Sequence, residues 1–154
     1  MGSAILVPPA TSGELLQSPQ AVVIVLKGEA KDERECLWVL HLDRENQLLE
    51  KERMKSVSAT LSGIAPREIL RKAVTNGADR VITVRVPPNG TAELALEDVQ
   101  LWRTLEIACD SLGIGFLDHL VVSASGAHVS CRQTIRTSYK KEGDGYGQKH
   151  GRQR

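Results

Sequence analysis

The chain has 154 residues, a formal net charge of +1, and 41% hydrophobic and 25% charged residues, which suits one domain with a real core. Aromatic residues are only 3%, which argues against stacking platforms for single-stranded nucleic acid. No apolar run approaches the ~20 residues a membrane span needs, and the opening MGSAILVPP lacks the basic flank and long apolar run of a signal peptide.

Residues 1–17, with Pro8, Pro9 and a Thr-Ser-Gly group, read as a loosely held lead-in to a domain over 18–132. Ser18-Pro19-Gln20 is a helix start, with Ser as N-cap and Pro at the first helical position. The following AVVIVLKG is β-branched and suits a buried strand, so the two signals conflict. ECLWVLHLD, from Glu35, is apolar on both faces and predicts an interior strand. A polar turn at 43–46 leads to a second strand over about 47–57 with one wet face. Pro66 opens a helix whose buried stripe is Ile69, Leu70, Ala73 and Val74, and Asn76-Gly77 ends it.

The stretch 81–99, VITVRVPPNGTAELALEDV, is the centre of the chain. A strand over 80–86 runs into a Pro-Pro-Asn-Gly loop and then a long helix. Alternate strand residues share a face, so Val84 and Val86 point the same way. Asp98, Leu101, Leu105, Ala108 and Leu112 follow helical spacing and form an inward stripe. A carboxylate in the first turn of that stripe, opposite two same-side strand residues, is the layout of a site. The Pro-Pro-Asn-Gly loop is too poor in glycine to be a phosphate cradle. A strand over 116–123, a Ser125-Gly126 turn and a short strand over 128–131 complete the order. The fold class is α/β (α+β): a mixed sheet flanked by helices.

Cys36, Cys109 and Cys131 are widely spaced in apolar segments and lack CxxC spacing. They fit buried thiols in a reducing cytosol rather than a disulfide framework, so a cytoplasmic location is expected. From residue 132 onward seven Lys/Arg stand against Glu142 and Asp144, a net +5, while the preceding residues carry 13 basic and 17 acidic groups, a net −4. The Gly- and charge-rich tail over 133–154 cannot bury enough apolar surface to order itself. It is the one feature that points to nucleic acid or another anionic partner.

ECLWVLHLDRENQLL, GIAPREILRKAV, the strand–loop–helix and LGIGFLDHLVVS together resemble the JAB/MPN (JAMM) domain of the RadC type, over about 100 residues. The resemblance implies a cytidine deaminase-like architecture and tips 18–27 toward helix. Active JAMM members are zinc metallopeptidases with a Glu before the first core strand, then His-x-His-Pro, then Ser-x-x-Asp. Two imidazoles and a carboxylate hold Zn²⁺, leaving one corner for water. The metal lowers that water's pKa, the Glu takes its proton, and the Ser stabilises the tetrahedral intermediate.

On this pattern Glu35 falls on the general base, and Val84 and Val86 on the two histidines. Pro87 falls on the proline, Gly90 near the loop glycine, Ala95 on the serine and Asp98 on the metal-binding aspartate. The loop is one residue longer than the pattern, and residues 60–118 contain no His. The resemblance therefore implies a degenerate site: no metal, no cofactor, Glu35 as a relic base and the oxyanion position lost at Ala95. His119 is the one candidate for a substitute ligand beside Asp98. His41 lies about 20 Å along its strand from Glu35, and His128 belongs to the last hairpin.

Three functions follow. The first is an inactive, metal-free scaffold that binds a protein partner, another JAB/MPN domain or a second copy of itself, as metal-free members of the wider family do. The second is a zinc hydrolase of peptide or isopeptide bonds with rearranged ligands, Asp98 and His119. The third is a nucleic-acid role through the basic tail, since RadC-type proteins carry a DNA-repair label. Their usual N-terminal helix-hairpin-helix region is more than residues 1–17 could supply.

Overall fold

The computed structural model describes residues 14–27, 29, 35–54, 64–87 and 91–136. Helix α1 (Pro19–Val25) leads into strands β1 (Cys36–Leu42) and β2 (Leu48–Met54), helix α2 (Pro66–Asn76) and strand β3 (Arg80–Val86). Helix α3 (Leu96–Leu112), strands β4 (Gly115–Val122) and β5 (His128–Ser130), and helix α4 (Cys131–Arg136) follow. The five strands form one sheet in the order β2-β1-β3-β4-β5. All pairs are antiparallel except β3–β4, which are joined by the crossover helix α3. This is the expected mixed sheet with flanking helices.

The conflict at the N-terminal end resolves as helix. Ser18 caps α1, its hydroxyl accepting from the Ala21 amide at 3.3 Å, and Pro19 sits in the first turn. The β-branched run packs one side on the sheet as a helix, with Val22 and Leu26 joining Trp38, Leu40, Ile82, Val84, Val86, Leu120 and Val122 in one apolar cluster while Ile24 is exposed. Tertiary packing outweighs strand propensity here. The lead-in is not loose throughout. Leu16 is fully buried, and the Leu16 amide donates to Asn46 O while the Leu48 amide donates to Glu14 O. Residues 1–13 lie outside the described residues, as do 55–57 of the expected second strand and 137–154 of the tail. Residues 131–136 of the terminal region form α4.

All seven residues of β1 are buried, as an interior strand requires. The second face of the sheet packs Leu37, Val39 and Val81 against α2 and α3, through Ile69, Ala73, Leu101, Leu105 and Cys109. Two residues expected in these stripes are not there: Val74 is 52% exposed and so is Leu112. Toward the end of α3 Cys109 takes the inward position instead, and Trp102 is buried nearer its start. Gly77 and Gly113, at φ 70° and 73°, end α2 and α3 in the left-handed conformation that favours glycine.

The β3–β4 pairing carries one irregularity that decides the site. Val81 lies opposite Phe116, but Ile82 lies opposite Asp118 and Thr83 opposite His119. Leu117 is skipped. Had the pairing run on without that skip, Asp118 would face Thr83 and His119 would turn to the other side of the sheet. Such bulges re-aim side chains. Asp118 instead ties the C-terminal hairpin together, accepting from the Ser130 hydroxyl and from the amides of His119 and Arg132.

Candidate functional site

Strand β3 reads RVITVRV, and from Val81 onward every residue is buried. Its even residues, Ile82, Val84 and Val86, belong to the α1-side cluster. Its odd residues face α3, and there the strand presents Thr83 and Arg85. Asp98 is on that α3 side. Val84 and Val86, expected to stand opposite Asp98, therefore pack on the far face of the sheet. The pair that shares Asp98's side is Thr83 and Arg85, with Pro87 beyond them.

Arg85 is the centre of the cluster. Its Nε donates to Asp98 Oδ1 at 2.8 Å and its Nη2 to Asp98 Oδ2 at 2.7 Å, a bidentate guanidinium–carboxylate pair. Nη2 also donates to the Glu93 carbonyl at 3.1 Å. Nη1 donates to Glu35 Oε2 at 3.0 Å. A lone arginine in a buried strand must find such partners, because an unpaired buried charge is prohibitive.

Asp98 is fully buried. Its Oδ2 also accepts from the Ala95 amide at 2.8 Å, the backward reach of an N3 carboxylate to its N-cap. His119 Nε2 lies 2.7 Å from Oδ1, and since an ionised carboxylate only accepts, that ring nitrogen carries the hydrogen. His119 Nδ1 meets the Thr83 hydroxyl at 2.8 Å. Burial alone would raise the Asp98 carboxyl, but the hydrogen bonds from His119 and Arg85 outweigh it and hold the group well below the usual carboxylate range. Burial also works against the Arg85 charge, and the Asp98 hydrogen bond overcomes it, so the guanidinium is held above its ordinary value.

Each expected site residue now has a place. Glu35 does reach the site, but as Arg85's partner at its more exposed end, its side chain 22% exposed against 10% for Arg85. Asp98 and His119 are side by side, as hydrogen-bond partners. Ala95 is the N-cap of α3 and has no hydroxyl to offer. His41 is buried elsewhere, its Nε2 3.1 Å from Glu52 Oε1, and His128 is half-buried on β5. Burial pushes the thiols of Cys109 and Cys131 up to about 12, which makes both inert; Cys36 is raised as well, again mainly by burial.

Sequence reading missed Arg85 and Thr83. A signal for Arg85 was present: one charge in an otherwise apolar interior strand. Thr83 had none, because its role depends on the skipped Leu117.

The chemistry open to this cluster is narrow. Thr83, His119 and Asp98 form a hydroxyl–imidazole–carboxylate chain, the composition of a nucleophilic triad. All three are without solvent exposure, so in this arrangement the hydroxyl is shut off from solvent. Nor does the donor set fit zinc. Both Asp98 oxygens are turned onto a guanidinium, His119 is turned onto Asp98, and the cation of Arg85 stands where a metal would share those oxygens. Among the described residues, no group of three or more His, Cys, Asp or Glu side chains could hold a metal ion. What stays open is a shallow depression lined by Glu35, Arg85, Pro87, Thr91, Glu93, Leu94 and Ala95. Among the described residues no helix is long and apolar enough to cross a membrane.

Comparison with known proteins agrees with this architecture. Residues 16–136 match the family described as RadC-like JAB domain. A UPF0758 protein of Actinobacillus pleuropneumoniae is 34% identical over 110 residues, covering 71% of this chain and 50% of the relative. A UPF0758 protein of Trichormus variabilis is 36% identical over 119 residues, 77% of this chain and 49% of the relative. One from Haemophilus influenzae is 30% identical over 118 residues, 76% and 53%. The chain spans about half the length of the curated relatives it matches. With the family's match running from the buried Leu16 through α4, and enclosing the whole Arg85 cluster, this chain belongs to the RadC-like JAB domain family.

Proposed function

We propose that this chain is a metal-free RadC-like JAB domain that does not hydrolyse peptide bonds and acts as a protein-binding module. The observation that carries the reading is the bidentate Arg85–Asp98 pair. In the JAMM arrangement that carboxylate is a metal ligand; here its lone pairs serve an arginine. Other features support it. Moved by one residue, the His-x-His-Pro pattern falls on Arg85, Pro87 and Pro88, and the loop loses its extra residue. Neither Arg85 nor Pro87 is a zinc donor, so both registers lack the two imidazoles. Glu35 neutralises Arg85 and has no metal-bound water to deprotonate. Ala95 supplies no hydroxyl at the oxyanion position.

The partner is a protein, such as another JAB/MPN domain. Association of two copies through the outer edge of β2 is opposed by charge. A two-fold axis normal to the sheet pairs residues of equal parity. That sets Glu50 against Glu52 and Lys51 against itself, or Lys51 against Arg53 and Glu52 against itself. Like charges directly opposite destabilise a sheet pair.

The Asp98–His119 contact of 2.7 Å favours a second reading, a zinc hydrolase with those two as substitute ligands. Elemental mass spectrometry of the purified full chain, after zinc exposure and desalting, separates the two. The module reading expects no retained zinc, no cleavage of an isopeptide substrate, and a specific protein recovered by pull-down. Stoichiometric zinc, lost in Asp98→Ala, would establish the hydrolase reading instead.

A further inference from the structure

Strand β2 lies at the edge of the sheet, and its outer side is already used once for strand addition. The Leu16 amide donates to Asn46 O at 2.8 Å and the Leu48 amide to Glu14 O at 2.7 Å, with Leu15 bridged antiparallel to Gln47. Among the described residues nothing pairs with this outer edge beyond Leu48. At that step Leu15 and Leu49 are 46% and 48% exposed. The edge that continues, Glu50-Lys51-Glu52-Arg53, alternates in charge. Glu50 and Glu52 lie beside His41 and Val39, on the α2 side of the sheet, and Lys51 and Arg53 beside Leu40 and Trp38, on the α1 side. We infer that this edge receives an extended segment of a partner protein whose residues alternate basic and acidic, base opposite Glu50 and Glu52 and acid opposite Lys51 and Arg53. This deepens the protein-binding reading and rests on it.

Opposite residues of paired strands share a face, so the two carboxylates match cations on one face and the two cations match carboxylates on the other. A second copy offers like charge to like, so the same residues that oppose self-association favour a complementary strand. Glu50, Glu52 and Lys51 are held in place from inside the chain. Glu50 Oε2 accepts from Lys72 Nζ at 2.8 Å, Glu52 Oε1 lies 3.1 Å from His41 Nε2, and Lys51 Nζ donates to Glu29 Oε2 at 2.9 Å. Groups already fixed lose little side-chain freedom when a partner arrives. Backbone hydrogen bonds along the edge supply affinity, and the order of charges sets the register. The chain's own residues 8–13, PPATSG, carry two prolines and no charge. Proline has no N–H to add to a ladder, so that segment is a poor match to this edge.

The test is amide hydrogen exchange by NMR on the full chain, with a peptide of alternating Lys and Glu and a block peptide of the same composition, Lys first and then Glu. Without peptide, the outward amides of residues 49–54 should exchange fast at every chain concentration. The alternating peptide, at about ten times its Kd, should slow them roughly tenfold, because the edge is then free about a tenth of the time. The block peptide should bind about tenfold more weakly. Arg53→Glu, at an exposed position, should lose affinity for the alternating peptide and regain it for one with Lys opposite that position. If that variant does not fold, the exchange measured on the native chain decides alone. No slowing by the alternating peptide at about 1 mM, or equal affinity for the block peptide, would overturn this inference alone where a pull-down still recovers a specific protein, and both readings where it does not. Slow exchange in the free chain, fixed or rising with its concentration, would mean that the chain itself or a second copy holds the edge, and would also overturn the inference.

Discussion

Strand β3 presents two different interiors from one run of seven residues. Toward α1 it offers Ile82, Val84 and Val86 to an apolar cluster. Toward α3 it offers Thr83 and Arg85 to a chain of hydrogen bonds through His119, Asp98 and Glu35. The first interior tolerates small changes of shape, because its energy is spread over many weak, non-directional contacts. The second does not. Each of its polar groups was stripped of water and is stable only while its partner stays in place. Position on one side or the other of a pleat thus decides whether a residue belongs to packing or to the site.

The largest expected effect comes from forcing site chemistry onto the packing face. A Val84→His/Val86→His variant sets two imidazoles into the α1-side core, with polar burial and overpacking costing roughly 5 kcal/mol together. That approaches the whole stability of a typical domain. Urea denaturation should show a protein unfolded or nearly so, with no zinc retained. A folded, zinc-binding double variant would mean that these valines face Asp98 after all.

Next comes the polar side itself. Asp98→Ala leaves the Arg85 guanidinium buried without its carboxylate and His119 Nε2 without its acceptor. Breaking a buried pair in this way costs about 3–5 kcal/mol. A loss below about 1 kcal/mol in urea, the range of an exposed ion pair, would mean that the cluster is wetter than its burial indicates.

The same carboxylate sets an acid limb. Its folded value lies below its unfolded one, so its contribution to stability is complete above the ordinary carboxylate value of about 3.9 and is lost as pH falls toward the folded value. Native protein should lose stability below about pH 4 more steeply than Asp98→Asn, whose loss is already present at neutral pH. Parallel acid limbs for the two proteins would contradict the pairing.

The smallest effect marks where helical spacing misled. Leu112→Ser and Val74→Ser replace residues that are half exposed, and each should change stability by no more than about 0.5 kcal/mol. Leu105→Ala, about two turns earlier on the same helix and fully buried, should cost roughly 2–5 kcal/mol. If Leu112 proved as costly as Leu105, the expected stripe would be right and the exposed end of α3 wrong.

Much of this was legible in the chain alone. Ser18-Pro19 marked α1, the run from Cys36 to Leu42 marked an interior strand, Gly77 marked a helix end, and the order of elements implied a mixed sheet between helices. All are local: each follows from the conformational limits of one residue or the periodicity of one segment. Asp98 in the first turn of α3 was also legible, as was the absence of two histidines on the strand before it. These features excluded the usual zinc ligand set whichever register the strand took.

What the chain could not disclose was which side of β3 met α3. Alternation shows that Val84 and Val86 share a face and that Thr83 and Arg85 share the other, but not which face is which. That choice depends on the pairing of β3 with β1 and β4, contacts made across tens of residues, and on the skipped Leu117 that brings His119 onto Thr83's side. A shift of one residue flips every side chain to the opposite face. The residue types determined that a JAB-type site here could not be built in the usual way. Only the assembled sheet decided that an arginine stands in it, because only there do Glu35, Asp98 and His119 come close enough to hold a buried charge.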